Sequence, residues 1–235
     1  MATGAALPAL IIAAVRQAAV EIRDGDVFVV AQKVVSKAEG CVVALNSVTP
    51  SAPASEWAEA NNKDARVVEV VLRESRRLVR RQRGVMICET HHGFICANAG
   101  VDASNVPPGF VVTLPVDPDA SARHLQAALE AAFGVRLAVI VSDTFGRPWR
   151  EGIVNVAIGV AGIAPIVDYR GKPDSFGQLL RVTTIAIADE IASAAELVMG
   201  KADGIPVAVA RGFAYEARPA SGKELIRAAE NDLFR

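Results

Sequence analysis

The 235-residue chain balances 25 basic against 26 acidic side chains, a net charge of −1, which argues against a dedicated nucleic-acid or membrane-surface protein. A hydrophobic content of 51% supports a sizeable core, and an aromatic content of only 5% suits β-branched strands covered by alanine-rich helices. Three cysteines, Cys41, Cys88 and Cys96, form no CxxC pair, so a disulfide framework or zinc ribbon is disfavoured and a cytoplasmic location is expected.

In chain order, the apolar opening at residues 5–15 has no basic residue before it. Arg16, Glu21 and Arg23 bring charge in directly after it, so it reads as a buried N-terminal helix with Pro8 in its first turn rather than a signal peptide. A turn at Asp24-Gly25-Asp26 leads into a buried strand, Val27-Phe28-Val29-Val30-Ala31, whose pattern extends toward Lys37 and breaks near Gly40. Residues 55–82 read as one long helix, with Val67, Val68, Val71, Leu72, Leu78 and Val79 on a single face. It ends in a basic run from Arg73 to Arg83, either a solvated face suited to a helix C-terminus or a contact for an anionic partner. Short strands are expected at 85–89, 94–98 and 110–115, then an amphipathic helix over 121–133 that stops at Gly134.

The apolar run Leu137-Ala138-Val139-Ile140-Val141 is a strand placing Asp143 and Thr144 at its end. A glycine-spaced apolar segment (153–163), a strand (166–169), a turn (171–174), a helix (186–199), a strand (206–210) and a terminal helix from about Ser221 complete the chain. The class is α/β (α+β) with mixed sheets. Gly152, Gly159, Gly162 and the loop at 201–204 delimit a smaller lobe, 146–202, from a main lobe of 1–145 with 203–235.

Three stretches carry candidate chemistry. "VSDTFGRPWREG" (141–152) sets a carboxylate beside a hydroxyl at a strand end, where α/β sheets place their ligand crevice. Hard oxygen donors suit Mg²⁺ or Mn²⁺ better than zinc, although an Asp or Thr turn closing the strand explains the same residues. "NAGVDASNVPPG" (98–109) holds Asp102 and Asn105 in a loop fixed by a double proline, as a second carboxylate with a neutral partner or as a self-stabilised turn. "QKVVSKAEG" (32–40) places Lys37 where a cation could face phosphate. Neither a Walker A sequence nor GxGxxG is present. His91 and His92, adjacent on a strand, would point to opposite faces, and His124 belongs on a helix surface.

Together with "HGFICANAGVDASNV" and "VMGKADGIPVAVARG", these motifs closely resemble the coenzyme F-420:L-glutamate ligase (F-420-0 gamma-glutamyl ligase) family, from about residue 24 to residue 213. The resemblance implies a two-lobed mixed-sheet fold, an intertwined homodimer, and no nucleic-acid or membrane partner. It implies a GTP-dependent ligase adding L-glutamate to F-420-0, and further γ-linked glutamates, through an acyl phosphate, with release of GDP and phosphate. Mg²⁺ or Mn²⁺ (two divalent ions) would assist, with K⁺ as a further ion.

By position, Asp102 and Asp143 match the carboxylates on one cation, and Thr144 matches a donor to a second. Lys37 and Asn105 match nucleotide contacts, and Gln32 falls where many relatives have serine. Met199 and Lys201 lie in a nucleotide-proximal segment, Lys201 standing where some relatives carry glutamine or glutamate. Relatives usually have a Leu/Ile-Pro nucleotide contact ahead of the first helix, which is not carried onto Leu7-Pro8. From charge alone, Arg147 and Arg150 meet phosphate or an acidic coenzyme tail, or form structural salt bridges. No residue stands out as a general base. A metal-dependent phosphohydrolase and a nucleotide-binding homologue without ligase activity are the competing readings.

Overall fold

The computed structural model describes residues 4–232. Helix α1 (Leu7–Gln17) buries Leu7 and Ile11 and carries Pro8 in its first turn, where a missing N–H breaks no helical bond. Strand β1 (Val27–Ala31) comes next and is buried along nearly its whole length. The sequence pattern extends this strand toward Lys37, but the chain turns at once into helix α2 (Gln32–Ala38). Local valine preference loses there to tertiary bonding: the buried Gln32 amide donates to Ser36 one turn on and, at 2.9 Å, to the Thr113 carbonyl. Strand β2 (Val42–Ala44) succeeds it.

The long helix expected over 55–82 is instead three elements: helix α3 (Ala52–Asn61), helix α4 (Ala65–Arg73) and strand β3 (Ser75–Gln82). Asn62 ends α3 in the left-handed region at φ 52°, and the Asp64 side chain caps α4 by accepting from the Arg66 N–H. Of the arginine run, Arg73 ends α4, and Arg76, Arg77, Arg80 and Arg81 decorate a strand rather than a helix end. Its members are paired in place: Arg77 with Glu89 at 2.8 Å, Arg73 with Glu69 at 2.9 Å, and Arg81 over the Trp57 ring at 5.4 Å.

Next along the chain are strands β4 (Val85–Thr90), β5 (Ile95–Ala97) and β6 (Phe110–Val112), helix α5 (Pro118–Phe133) and strands β7 (Ala138–Arg147) and β8 (Arg150–Ala161). The remaining elements are β9 (Val167–Asp168), β10 (Thr184–Ile185), helix α6 (Ile187–Met199) and β11 (Val207–Ala210). In place of the expected terminal helix stand two short 3-10 turns, Gly222–Leu225 and Ala229–Asn231; residues 233–235 lie outside the described residues. Ser221 and Glu224 do form a capping box, but the buried Asp119 carboxylate takes the Ser221 hydroxyl and, at 2.8 Å, the Gly222 N–H, anchoring the turn there.

The chain divides into two compact units, one built mainly from Gln32–Asp117 and Phe145–Ile153, the other from Leu7–Ala31, Pro118–Thr144 and the chain from Val154 onward. The residues expected as a separate lobe fall in both, 146–153 in the first and 154–202 in the second. In the first unit, β3-β4-β5 is an antiparallel sheet and β2 pairs β6; Val68 and Val71 of α4 pack with Ala54, Ala58, Met86 and Cys88.

The second unit holds the mixed sheet β11-β1-β7-β8, with β1 parallel to β7 and antiparallel to β11. Alternation sends Val27, Val29, Ala138 and Ile140 to one face, where Ala188, Ile191, Ala192, Ala195 and Met199 of α6 cover them. A fully buried valine, isoleucine or methionine side chain contributes about 1.5–3 kcal/mol of transfer free energy. On β8, a Cβ at Gly159 would lie 2.4 Å from the Pro118 backbone, so α5 can begin against the strand only where the side chain is absent.

Candidate functional site

Strand β7 does not stop at Val141. It runs on to Arg147 and turns at Pro148-Trp149 into β8, so Asp143 and Thr144 lie inside a strand rather than at its end. Pro148 fixes its own φ and Trp149 takes the left-handed φ of 56°, which closes a two-residue connection and lets the ladder continue. Adjacent strand residues face opposite ways, so Asp143 and Thr144 cannot share one cation on the same face. Thr144 has the parity of Ile140 and therefore looks toward the α6 side.

On that side four polar residues converge. The Thr144 hydroxyl donates to Asn155 Oδ1 at 2.8 Å, and the Asn155 amide donates to Glu196 Oε2 at 2.9 Å. Lys201 Nζ donates to Thr144 Oγ1, lies 3.4 Å from Asn155 Oδ1 and pairs with Glu196 Oε1 at 3.2 Å. Asn155 is buried within β8, and Gly200, at φ 59°, turns the chain out of α6 so that Lys201 can reach back. Met199 itself is buried in the core under α6, so any ligand contact there falls to its backbone.

In the first unit a second cluster forms around α2. Lys33 pairs with Asp102 Oδ2 at 2.7 Å and donates to the Ser104 hydroxyl, while Asp102 Oδ1 accepts from the Ser104 N–H at 2.6 Å. Burial alone would raise the Asp102 carboxyl, but the hydrogen bonds from Lys33 and Ser104 outweigh it and hold the group below its ordinary value. Lys37, one turn along the same helix face, donates to the Asn105 carbonyl, with Asn105 held at φ 57°. The structure thus brings Lys37 and Asn105 together. Gln32 is buried and spends both amide hydrogens on Ser36 and Thr113, leaving only its carbonyl oxygen for a further partner. Three successive left-handed residues, Asn98, Ala99 and Gly100, lead into the Asp102 loop, a local strain of the kind that persists where surrounding contacts fix the backbone.

The half-buried Arg147 donates from Nη2 to the Glu151 carbonyl at 3.0 Å, while its buried Nε has no partner among the described residues. Arg150 is exposed on the same hairpin. His91 and His92 sit in the turn after β4 rather than on a strand; His91 reaches the Arg73 carbonyl and His92 the Pro115 carbonyl, each at 2.8 Å. His124 is exposed on α5, as its pattern predicts. Burial pushes the Cys41 and Cys88 thiols up, away from thiolate chemistry.

A cavity of about 700 Å³ in the second unit is lined by Gly25, Arg123, Leu137 and Tyr215, at the N-terminal ends of β1 and β7. Parallel strands place reacting ligands at their C-terminal ends, the side of Thr144, so this cavity is distinct from the Thr144 cluster.

The sequence matches the model of the F420-0:gamma-glutamyl ligase family over residues 1–212. This chain belongs to that family. It is 47% identical over 229 residues to the coenzyme F420:L-glutamate ligase of Methanothermobacter thermautotrophicus, covering 96% of this chain and 91% of that relative. It is 48% identical over 220 residues to the protein of the same name from Methanopyrus kandleri (92% and 87% covered), and 46% over 215 residues to that of Methanocaldococcus jannaschii (91% and 86% covered). The match to the F420-0:gamma-glutamyl ligase family includes every candidate residue from Gln32 to Lys201. No described helix is long and apolar enough to cross a membrane.

The oxygen donors of the two clusters, with no thiol or imidazole among them, are of the hard type that suits Mg²⁺ or Mn²⁺, and in each cluster a lysine ammonium already faces them. Among the described residues no three His, Cys, Asp or Glu side chains gather into a closed cage. Sequence reasoning missed Lys33, Asn155 and Glu196. Their signals were the four-residue spacing of Lys33 and Lys37, and an asparagine inside the apolar run "VNVAIGVA".

Proposed function

We propose that this protein is a GTP-dependent ligase that joins L-glutamate to the terminal carboxylate of a coenzyme F420 precursor, and goes on to add γ-linked glutamates. The observation that supports this best is the pairing of Lys37 with the Asn105 carbonyl beside the Lys33–Asp102 pair, a cationic and acidic cluster suited to a metal-bound polyphosphate. The relatives' shared name supplies the acceptor and the amino acid.

A carboxylate is a poor electrophile, so an amine cannot condense with it directly. Transfer of the γ-phosphoryl group of GTP to the coenzyme carboxylate forms an acyl phosphate and GDP. The glutamate amine then attacks the acyl carbon, the carbon–oxygen bond to phosphate breaks, and the amine loses a proton as the amide forms. Lys37 places a positive charge against the phosphates, and Asn105 fixes the nucleotide beside it. Asp102 and Asp143 would each supply a carboxylate to a divalent ion, and Thr144 would face a cation of its own. When bound, Mg²⁺ or Mn²⁺ supplies charge neutralisation at the phosphate oxygens. Arg147, with an unused buried donor, and the exposed Arg150 are suited to an acidic substrate tail.

The protein is further proposed to act as a cytoplasmic homodimer. Trp149, Phe176, Val182 and Leu197 are large apolar side chains left exposed, and association is the simplest way to cover them. Phosphate release from GTP measured with and without glutamate and the deazaflavin acceptor tests the reaction class. A ligase releases phosphate only with both present. Equal release from GTP alone would assign a phosphohydrolase, and no release under any condition would leave a nucleotide-binding homologue.

A further inference from the structure

The exposed ammonium of Lys201 stands against a set of oxygens of the kind that binds a metal ion. It donates to Thr144 Oγ1, pairs with Glu196 Oε1 at 3.2 Å and lies 3.4 Å from Asn155 Oδ1, so three oxygens from three different elements face one positive charge. The oxygens are held independently of the lysine. Asn155 is buried in β8, and its amide donates to Glu196 while its carbonyl accepts a hydrogen bond from the Thr144 hydroxyl. The cage is therefore preorganised and carries a net negative charge from Glu196.

The lysine arrives from outside this frame, on an exposed loop that Gly200 redirects. Gly200 takes φ 59° with ψ 174°, a backbone conformation that residues with a Cβ avoid, so the tight turn that delivers Lys201 depends on that glycine. The same three oxygens without the lysine would present hydroxyl, amide carbonyl and carboxylate donors, a set that binds Mg²⁺ or Mn²⁺ with water or phosphate completing the shell.

We propose that Lys201 is a built-in cation: its ammonium occupies the position beside Thr144 that a second divalent ion would otherwise take. The protein then works with one fewer divalent ion per site, and the lysine supplies a fixed single charge there. The inference rests on the reading that Thr144 faces a cation near the nucleotide phosphates. It adds that in this chain the cation is covalently attached.

The test counts bound Mn²⁺ directly, by the electron paramagnetic resonance signal of the free ion, in the purified full-length protein and two variants. Lys201→Gln replaces the ammonium with a neutral oxygen donor, and Lys201→Met removes it without adding one. Both changes lie on an exposed side chain, and a thermal melt checks that each variant is folded. We expect Lys201→Gln to bind one more Mn²⁺ per chain than the wild type, and Lys201→Met to bind the extra ion more weakly. Equal counts in wild type and Lys201→Gln would overturn the proposal. The wild-type count reads the other carboxylates separately: a wild type that binds no Mn²⁺ argues against Asp102 and Asp143 as ligands, while the gain in Lys201→Gln still decides the role of Lys201.

Discussion

Lys37→Ala separates a nucleotide-binding lysine from a lysine that merely ties down a loop. In the structure its ammonium donates to the Asn105 carbonyl from a half-buried position on α2. Losing a hydrogen bond to a neutral, solvent-accessible acceptor costs about 0.5–1 kcal/mol of stability, which for a chain of this size moves the melting temperature by roughly 2–4 °C at most. Losing a charge-assisted bond to phosphate costs about 1.5–3 kcal/mol, or roughly 10- to 150-fold in the dissociation constant for GDP. The binding effect should thus far exceed the stability effect. Lys37→Gln sharpens the comparison, because it keeps a donor for the Asn105 carbonyl and loses only the charge. Isothermal calorimetry with GDP and Mn²⁺ should find both variants weakened to a similar extent, with melts close to wild type. Unchanged GDP affinity in Lys37→Ala would refute the phosphate role, and full affinity in Lys37→Gln would show that loop anchoring, not charge, is what matters.

Asp143→Ala should abolish metal-dependent GTP turnover while the circular dichroism spectrum and melt stay near wild type, and Asp102→Asn should be less severe because one oxygen donor survives; retained metal-dependent turnover in folded Asp143→Ala removes it from the site. Arg147→Ala should raise the apparent KM for the deazaflavin acceptor more than that for GTP, and the opposite ordering would move Arg147 to the nucleotide. Asp26 is fully buried and bonded at 2.6 Å to Arg211; burial raises its carboxyl, but Arg211 and the Arg23 N–H outweigh that and bring it below its ordinary value. A depressed folded pKa means its stabilisation is present above the unfolded value of about 3.9 and is lost as pH falls through the lower folded value. Arg211→Ala strands a buried carboxylate and should cost roughly 3–5 kcal/mol, read by denaturant melts at neutral pH; a loss below about 1 kcal/mol would show the pair to be solvent-screened.

What could be read in the sequence tracked the strength of the local signal. Val27–Ala31 and the 138–141 run are continuous β-branched stretches bounded by turns, and each is a buried strand. The helix over 121–133 announces itself by Leu125, Leu129 and the stop at Gly134. Errors arise where two signals compete. Val34-Val35 favours a strand, yet the Gln32–Thr113 bond, reaching far along the chain, settles a helix. The break at Asn62 and Asp64 is hidden inside a long apolar periodicity that happens to suit both α4 and β3. A true capping box at Ser221 promises a helix, and the chain makes only the single 3-10 turn Gly222–Leu225 there.

The candidate site is legible in the sequence one residue at a time but not as a network. Asp102, Lys37, Asn105 and Thr144 stand out by their chemistry, and the structure gives each a polar partner. Lys33, Asn155 and Glu196 do not, because their importance lies in whom they touch across more than 40 residues of chain, as in the Asn155–Glu196 and Lys33–Asp102 pairs.

The most direct measurement of the central claim is the mass of the coenzyme after incubation with the protein, GTP, Mn²⁺ and L-glutamate. The account predicts F420-0 heavier by one glutamyl residue, and then by further γ-linked residues, with GDP formed in step with each addition. An unchanged coenzyme mass while GTP is consumed would contradict it.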